Sequence, residues 1–228
     1  MSDELNDFSD LEFAENPDPR CPIVFILDAS DSMQDIRPGE TRSPLDALNG
    51  GLDKLVSALH SDPLARKRVE ISFVVYGTNA APATDFTTVD NLILPQLEPM
   101  GVTSTGAALN EALDSLEDRK KELDSNGIQR YKSQLFLITD GLSTDDTSEA
   151  AQRIREFEEK GKISAFAIGV EGADTDSLGK IFSRQPLMLQ GVKFEEFFEW
   201  VSASAASVSA SQPGDKVVPP SPAGWAEL

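Results

Sequence analysis

The sequence predicts a doubly wound α/β domain with a mostly parallel six-stranded sheet, one short antiparallel edge strand and helices on both faces. Short apolar runs rich in β-branched and aromatic residues, typical of strands buried on both faces, recur along the chain. Stretches with apolar residues three and four positions apart, typical of amphipathic helices, separate these runs. Because crossovers between parallel strands are right-handed, we expect the carboxyl ends of the strands at one sheet edge, where ligands bind in such folds.

The apolar runs assign the strands. The antiparallel edge strand is predicted within residues 79–86, after a turn that follows the second long strand. The other predicted strands cover 22–28, 69–77, 134–139, 163–170 and 187–189.

The first predicted helix carries apolar residues from Leu45 to Leu59, with Ser43 as its N-cap and Pro44 at its first position. Gly50-Gly51 interrupts it and predicts close packing of its backbone against the sheet. Another helix ends at Asn126-Gly127, a common helix stop. Later helices are predicted around residues 150–157, 177–182 and 194–205.

Composition restricts the partners. The chain of 228 residues has 39 acidic and 20 basic residues, which gives a net charge of −19. Such a charge repels nucleic acid and anionic membranes, so we expect neither as a partner. Cys21 is the only cysteine, no apolar run approaches the roughly 20 residues of a membrane span, and the first residues lack a signal-peptide pattern. These features predict a cytoplasmic protein, which we expect to be a monomer when alone.

Three segments are predicted from composition: an acidic flexible leader at 1–20, one domain at 21–209, and a Pro/Ser-rich disordered tail at 210–228. Two alternatives stay open at the ends. Phe8, Leu11 and Phe13 could dock the leader in a short helix or strand, and Trp225 could be a docking motif within the tail.

Oxygen-bearing side chains follow two of the buried strands and precede one helix. The first strand ends in Asp28-Ala29-Ser30-Asp31-Ser32, the strand at 134–139 is followed by Asp140-Gly141, and Thr103 precedes the helix with Leu109. Each of these three short motifs alone is more typical of a turn or a helix cap. Together they place two carboxylates and three hydroxyls at one sheet edge, a ligand set that suits hard cations such as Mg²⁺, Mn²⁺ or Ca²⁺.

On these residues the chain resembles the von Willebrand factor type A (vWA) domain, which has a Rossmann-like fold and a metal-ion-dependent adhesion site (MIDAS). Asp28-Ala29-Ser30-Asp31-Ser32 matches the family motif Asp-x-Ser-x-Ser, Thr103 its threonine, and Asp140 its second aspartate. The resemblance covers about residues 21–209. Residues 103–109 and 197–204 are similar to the corresponding segments of cytoplasmic bacterial vWA proteins related to the tellurite-resistance protein TerY.

The resemblance implies a metal site made of Asp28, Ser30, Ser32, Thr103 and Asp140 that holds a divalent cation, with Mg²⁺ expected before Mn²⁺ or Ca²⁺. It implies that another protein supplies an Asp or Glu carboxylate to this ion. It also implies an adaptor without enzymatic activity in a bacterial TerY-like stress-response or signalling system, whose partner is a metal-dependent protein phosphatase or a protein kinase.

Asp31 departs from the family pattern, in which glycine is frequent at this position. We expect its side chain to point into solvent, with added negative charge at the rim of the site as the alternative. Two other functions stay open. One is a metal-dependent hydrolase or phosphatase, although those of the haloacid dehalogenase type need a second aspartate where the chain has Ser30. The other is a scaffold that binds without metal.

Overall fold

The computed structural model describes residues 13–217, 220–222 and 224–227. Its helices are α1 (Pro44–His60), α2 (Ala65–Arg68), α3 (Thr105–Ser125), α4 (Ser148–Glu159), α5 (Thr175–Ile181) and α6 (Phe194–Ala210). Its strands are β1 (Cys21–Asp28), β2 (Val69–Tyr76), β3 (Thr87–Thr88), β4 (Ser133–Thr139), β5 (Ile163–Gly169), β6 (Leu187–Leu189) and β7 (Ala226–Glu227). None of the helices in these ranges has the combination of length and apolarity needed to cross a bilayer.

The strands form one sheet in the order β3-β2-β1-β4-β5-β6-β7. All neighbours from β2 to β6 pair in parallel, and β3 and β7 add antiparallel edges. The predicted fold class is therefore confirmed. The structure adds the seventh strand, and it moves the predicted edge strand from 79–86 to Thr87–Thr88, because residues 80–84 run beside β2 with only scattered hydrogen bonds.

A row of phenylalanines crosses the sheet and organises one of its faces. Phe25 of β1 stacks on Phe73 of β2 at 5.9 Å between ring centroids and on Phe136 of β4 at 5.4 Å. Phe166 of β5 continues the row at 5.1 Å from Phe136. The parallel register places these residues opposite one another, and alternation along each strand turns their neighbours to the other face.

Helices α1 and α6 cover the phenylalanine face, whereas α3, α4 and α5 cover the other face. The N-cap prediction for α1 is confirmed, because Ser43 Oγ accepts a hydrogen bond from Asp46 N at 3.1 Å. Gly51 marks a close approach as expected, but to α6 rather than to the sheet. A Cβ there would lie 2.8 Å from the Phe198 ring, so the close approach of α1 to α6 at this point requires a glycine.

Residues 13–20, assigned by composition to a flexible leader, pack on the domain. Arg20 and Glu70 are fully buried and bonded at 2.8 Å, and Arg119 also pairs with Glu70. Phe13 lies under both guanidinium groups, 5.7 Å from that of Arg20 and 5.2 Å from that of Arg119. The docking alternative therefore holds for Phe13, whereas Phe8 and Leu11 lie outside the described residues.

The end of the chain corrects the prediction of a disordered tail. Trp225 is only 3% exposed and packs 5.1 Å from Phe197 and 5.3 Å from Trp200. Its carbonyl accepts a hydrogen bond from Gln190 N, and β7 then pairs with β6. Composition missed this because one tryptophan among prolines and serines buries enough apolar area to dock a segment that has no periodic pattern.

We expect Trp225→Ala to lower the free energy of unfolding by about 3 kcal/mol, because it removes a buried aromatic side chain from between two others. Chemical denaturation followed by circular dichroism measures this. Lys216→Ala, an exposed change in the same segment, is the control and should change stability by less than about 0.5 kcal/mol. Equal stability of Trp225→Ala and the unmodified protein would contradict the docked position of the tail.

Candidate metal centre

The sheet brings the two predicted aspartates to neighbouring strand ends. Asp28 is the last residue of β1, and Asp140 directly follows β4. These strands are adjacent and parallel, with Leu27 opposite Ile138. Both carboxylates are buried, at 0% and 6% exposure of the residue. Their meeting at one edge is thus a consequence of strand order and register, as expected.

A chain of hydrogen bonds links the motif on β1 to the second aspartate. Ser30 N donates to Asp28 Oδ1 at 2.8 Å. The hydroxyls of Ser30 and Ser32 lie 3.1 Å apart, and Ser32 Oγ donates to Asp140 Oδ1 at 2.7 Å. Four of the five predicted residues are therefore in one connected group.

The loop of Thr103 joins the group through backbone contacts. Met100 N donates to Ala29 O at 2.7 Å, which holds the loop against the end of β1. Thr103 is 6% exposed. A Cβ built on Gly141 would lie 3.4 Å from Thr103 Oγ1 and 3.9 Å from Ser32 Oγ, so both hydroxyls border the space next to this glycine. The structure thus brings all five predicted residues together.

Asp28 is held in a polar but buried position. Thr139, which the sequence analysis did not select, donates its hydroxyl to Asp28 Oδ2 at 2.5 Å. Burial raises the pKa of the Asp28 carboxyl above its ordinary value, hydrogen bonds from Ser30 and Thr139 oppose the rise, and the Asp140 charge adds to it. The carboxylate is therefore a buried charge that hydrogen bonds stabilise only in part, and a cation would stabilise it further.

Arg37 supplies a cation that sequence reasoning missed. Its guanidinium forms an ion pair with Asp140 Oδ2, and the Asp140 side chain in this pair is fully buried. The Nε of Arg37 is buried and has no hydrogen-bond partner in the described structure. The sequence around Arg37-Pro38-Gly39 indicates only a loop, so no local signal predicts that this loop folds back over the motif.

Asp31 has a definite role in the structure. Its side chain is exposed, as expected, but Oδ1 accepts a hydrogen bond from Gly101 N at 3.0 Å. Asp31 N donates to Gly101 O at 2.8 Å, so the same two residues are joined twice. The departure from glycine at this position therefore ties the motif to the loop of Thr103.

Asp145 and Asp146 are neighbours in sequence but cap different helices. Asp146 Oδ1 accepts from Ser148 N at 2.9 Å. Asp145 instead accepts from Gly106 N at 2.9 Å and Ala107 N at 2.8 Å, which caps α3. Its carboxylate thereby fixes the loop after Asp140 to the loop of Thr103, across about 40 residues of sequence.

These side chains fit a hard divalent cation. Two carboxylates and three hydroxyls offer only oxygen ligands, which Mg²⁺, Mn²⁺ and Ca²⁺ accept. The described ranges contain no cluster of three or more His, Cys, Asp or Glu side chains suited to a metal, so a site here depends on the hydroxyls. Arg37 on Asp140 shows that the site already attracts positive charge.

We expect excess Mg²⁺ to raise the melting temperature, since a ligand that binds only the native state at 100 times its Kd adds about 2.7 kcal/mol. Asp28→Asn should remove this gain. Without metal, Asp28→Asn should be at least as stable as the unmodified protein, because it removes a buried charge. Thermal unfolding with Mg²⁺ or EDTA measures both effects. A Mg²⁺ gain retained in Asp28→Asn would contradict the assignment of this ligand.

We expect Arg37→Ala to tighten Mg²⁺ binding by about tenfold, because the ion no longer competes with a guanidinium for Asp140. Isothermal titration calorimetry of the free protein measures the change. Arg42→Ala, which removes a partly exposed arginine of the same loop paired with Glu195, is the control and should leave the affinity unchanged. Weaker binding in Arg37→Ala would mean that Arg37 orders Asp140 for the ion instead of opposing it.

Comparison with known proteins places this geometry in a family. The profile of the von Willebrand factor type A domain matches residues 23–199. Collagen alpha-4(VI) chain of Mus musculus is 28% identical over 176 residues, which are 73% of this chain and 6% of the collagen. Collagen alpha-6(VI) chain of Homo sapiens is 36% identical over 81 residues, 36% of this chain and 3% of that one. The chain thus spans only a small part of these curated relatives.

Solved structures agree in fold. The pilus adhesin SpaC of Lactobacillus rhamnosus GG superposes with a TM-score of 0.65 at 13% identity, over 83% of this chain and 31% of that one. Proximal thread matrix protein 1 of the mussel byssus has been solved in a structure described as having a zinc-occupied MIDAS motif. It superposes with a TM-score of 0.52 at 16% identity, over 82% of this chain and 48% of that one. Since the family profile covers more than half of the chain and its strand-end motif has the geometry above, the chain belongs to the von Willebrand factor type A domain family.

Proposed function

We propose that this chain is a protein-interaction module, in which a divalent cation on Asp28, Ser30, Ser32, Thr103 and Asp140 captures a carboxylate of another protein. The observation that carries the proposal is the convergence of three neutral hydroxyls with only two carboxylates. Mg²⁺ is the ion we propose first, and Mn²⁺ and Ca²⁺ suit the same oxygens.

The charges of the ligand set support this proposal. Hydroxyls give a cation little negative charge, so an ion held largely by them retains affinity for a further anionic ligand. Asp140 also shares its charge with Arg37. A site for tight storage of a metal would use more carboxylates. A carboxylate from a partner completes the coordination and adds the missing charge.

We propose no enzymatic activity. The only histidine of the chain, His60, is the last residue of α1, where its Nδ1 lies 3.4 Å from Asp90. The only cysteine, Cys21, begins β1, about 23 Å from Asp28 at the usual rise of a strand. Its burial raises its pKa to about 12. Neither of these two common catalytic groups is near the candidate centre, which weighs against the hydrolase alternative.

The finer assignment is also our proposal: an adaptor of a TerY-like bacterial system in the cytoplasm that binds a metal-dependent protein phosphatase or a protein kinase. Its support is the similarity of residues 103–109 and 197–204 to those proteins. The second segment has a packing role in the structure, since Phe197, Phe198 and Val201 are fully buried in the core. The first segment lies at the candidate centre and is the stronger support.

We expect partner binding to be lost in EDTA and in Thr103→Ala. A pull-down from an extract of the source cells, in Mg²⁺ or EDTA and quantified by mass spectrometry, measures this. Ser207→Ala removes an exposed hydroxyl of α6, far along the chain from the candidate centre, and is the control. The amount of each partner protein retained in Mg²⁺ should fall by about tenfold in EDTA and with Thr103→Ala, but not with Ser207→Ala. Equal retention in EDTA would favour the scaffold that binds without metal.

A further inference from the structure

Large apolar side chains are exposed in a pattern that the metal site alone does not explain. Exposed single apolar residues are normal on protein surfaces, but a concentration of them indicates an interaction site. Six large apolar side chains are exposed in the described part of the chain, and four of them lie on the loops of the candidate metal centre. These four, here called the apolar rim, are Ile36 (61% exposed), Met100 (36%), Val102 (53%) and Leu142 (57%).

Each rim residue is next to a residue that forms the centre. Val102 precedes Thr103, and Leu142 is separated from Asp140 only by Gly141. Ile36 precedes Arg37, whose guanidinium pairs with Asp140. Met100 donates its N–H to Ala29 O, directly after Asp28. The apolar rim therefore lies on the three loops that form the centre, within three residues of the groups that build it.

The loops hold these side chains in an exposed position. Thr144 N donates to Thr103 O at 2.8 Å, and Asp31 and Gly101 are joined by two hydrogen bonds. Asp145 fixes the loop after Asp140 to the start of α3. Because these contacts tie the three loops to one another, burial of the apolar side chains by local collapse would break several hydrogen bonds.

A groove continues from Leu142 to α5. Its volume is about 180 Å³, and Leu178 and Ile181 contribute apolar lining. Lys180 and Asp145 also line it, so one basic and one acidic side chain border the same groove. The surface thus offers a candidate cation site, an apolar rim and a groove with mixed apolar and polar lining.

We propose that the apolar rim and this groove select the partner: a protein segment that presents an Asp or Glu side chain with a large aliphatic or aromatic side chain a few residues away. The inference rests on the proposed function, because the acidic side chain is the one that reaches the ion. The carboxylate sets the register of the partner, and the apolar side chain excludes water around it by covering the apolar rim and entering the groove beside Leu142. A purely polar acidic segment would leave the apolar rim exposed and bind weakly.

Selection from a display library of random 12-residue peptides on the immobilised protein in Mg²⁺ tests the proposal. We expect enriched peptides to contain an acid with a large apolar residue within a few positions. A synthesised enriched peptide, titrated by fluorescence anisotropy, should bind Leu142→Ser about tenfold more weakly than the unmodified protein. Leu64→Ser is the matched control, because Leu64 is also exposed (41%) but precedes α2 and the start of β2, at the opposite sheet edge.

The outcomes separate this inference from the proposed function. If the enriched peptides contain acids without apolar neighbours, or if Leu142→Ser and Leu64→Ser bind the peptide equally well, the apolar rim does not select the partner. The proposed metal-dependent module would not be affected by either result. Enrichment without acids, or unchanged peptide binding in EDTA, would overturn the module itself and this inference with it. Metal-dependent self-association in sedimentation velocity, lost in Leu142→Ser, would assign the surface to a second copy of the chain and overturn the proposed partner.

Discussion

The parallel pairing of β1 with both β2 and β4 is the constraint on which the rest of the structure depends. All eight residues of β1 are buried, so this strand lies inside the sheet with helices on both faces. The strand ends in Asp28, whose carboxylate remains buried at the sheet edge. A central apolar strand thus brings a charge to a position where water solvates it poorly, and the neighbouring loops have to stabilise it.

The loops meet that demand with hydrogen bonds and one internal cation. Ser30 and Thr139 donate to Asp28, Ser32 donates to Asp140, and Arg37 pairs with Asp140. These contacts join the loop after β1 to the end of β4, and the hydrogen bonds of Asp31 and Asp145 join both to the loop of Thr103 and the start of α3. The same contacts therefore stabilise the buried carboxylates and order the loops around them. A divalent cation that competes with Arg37 for Asp140 would affect both.

Two segments outside the periodic pattern also dock on the domain. Phe13 and Arg20 dock on the Glu70 and Arg119 network, and Trp225 completes the aromatic cluster on α6. Composition alone indicated a flexible leader and a disordered tail, because composition measures average polarity whereas one buried aromatic or one paired arginine can dock a segment.

The sequence by itself determined the α/β class, the long strands and the residues that follow them, because hydrophobic period and strand ends are local properties of the chain. The same local patterns placed Asp28, Ser30, Ser32, Thr103 and Asp140 at one sheet edge once parallel order was assumed. Only the tertiary structure decided which distant groups meet there. Arg37 reaches Asp140 across 103 residues, and Asp145 caps α3 instead of its own helix. Such partners depend on how loops fold over one another, and no spacing in the sequence encodes that choice.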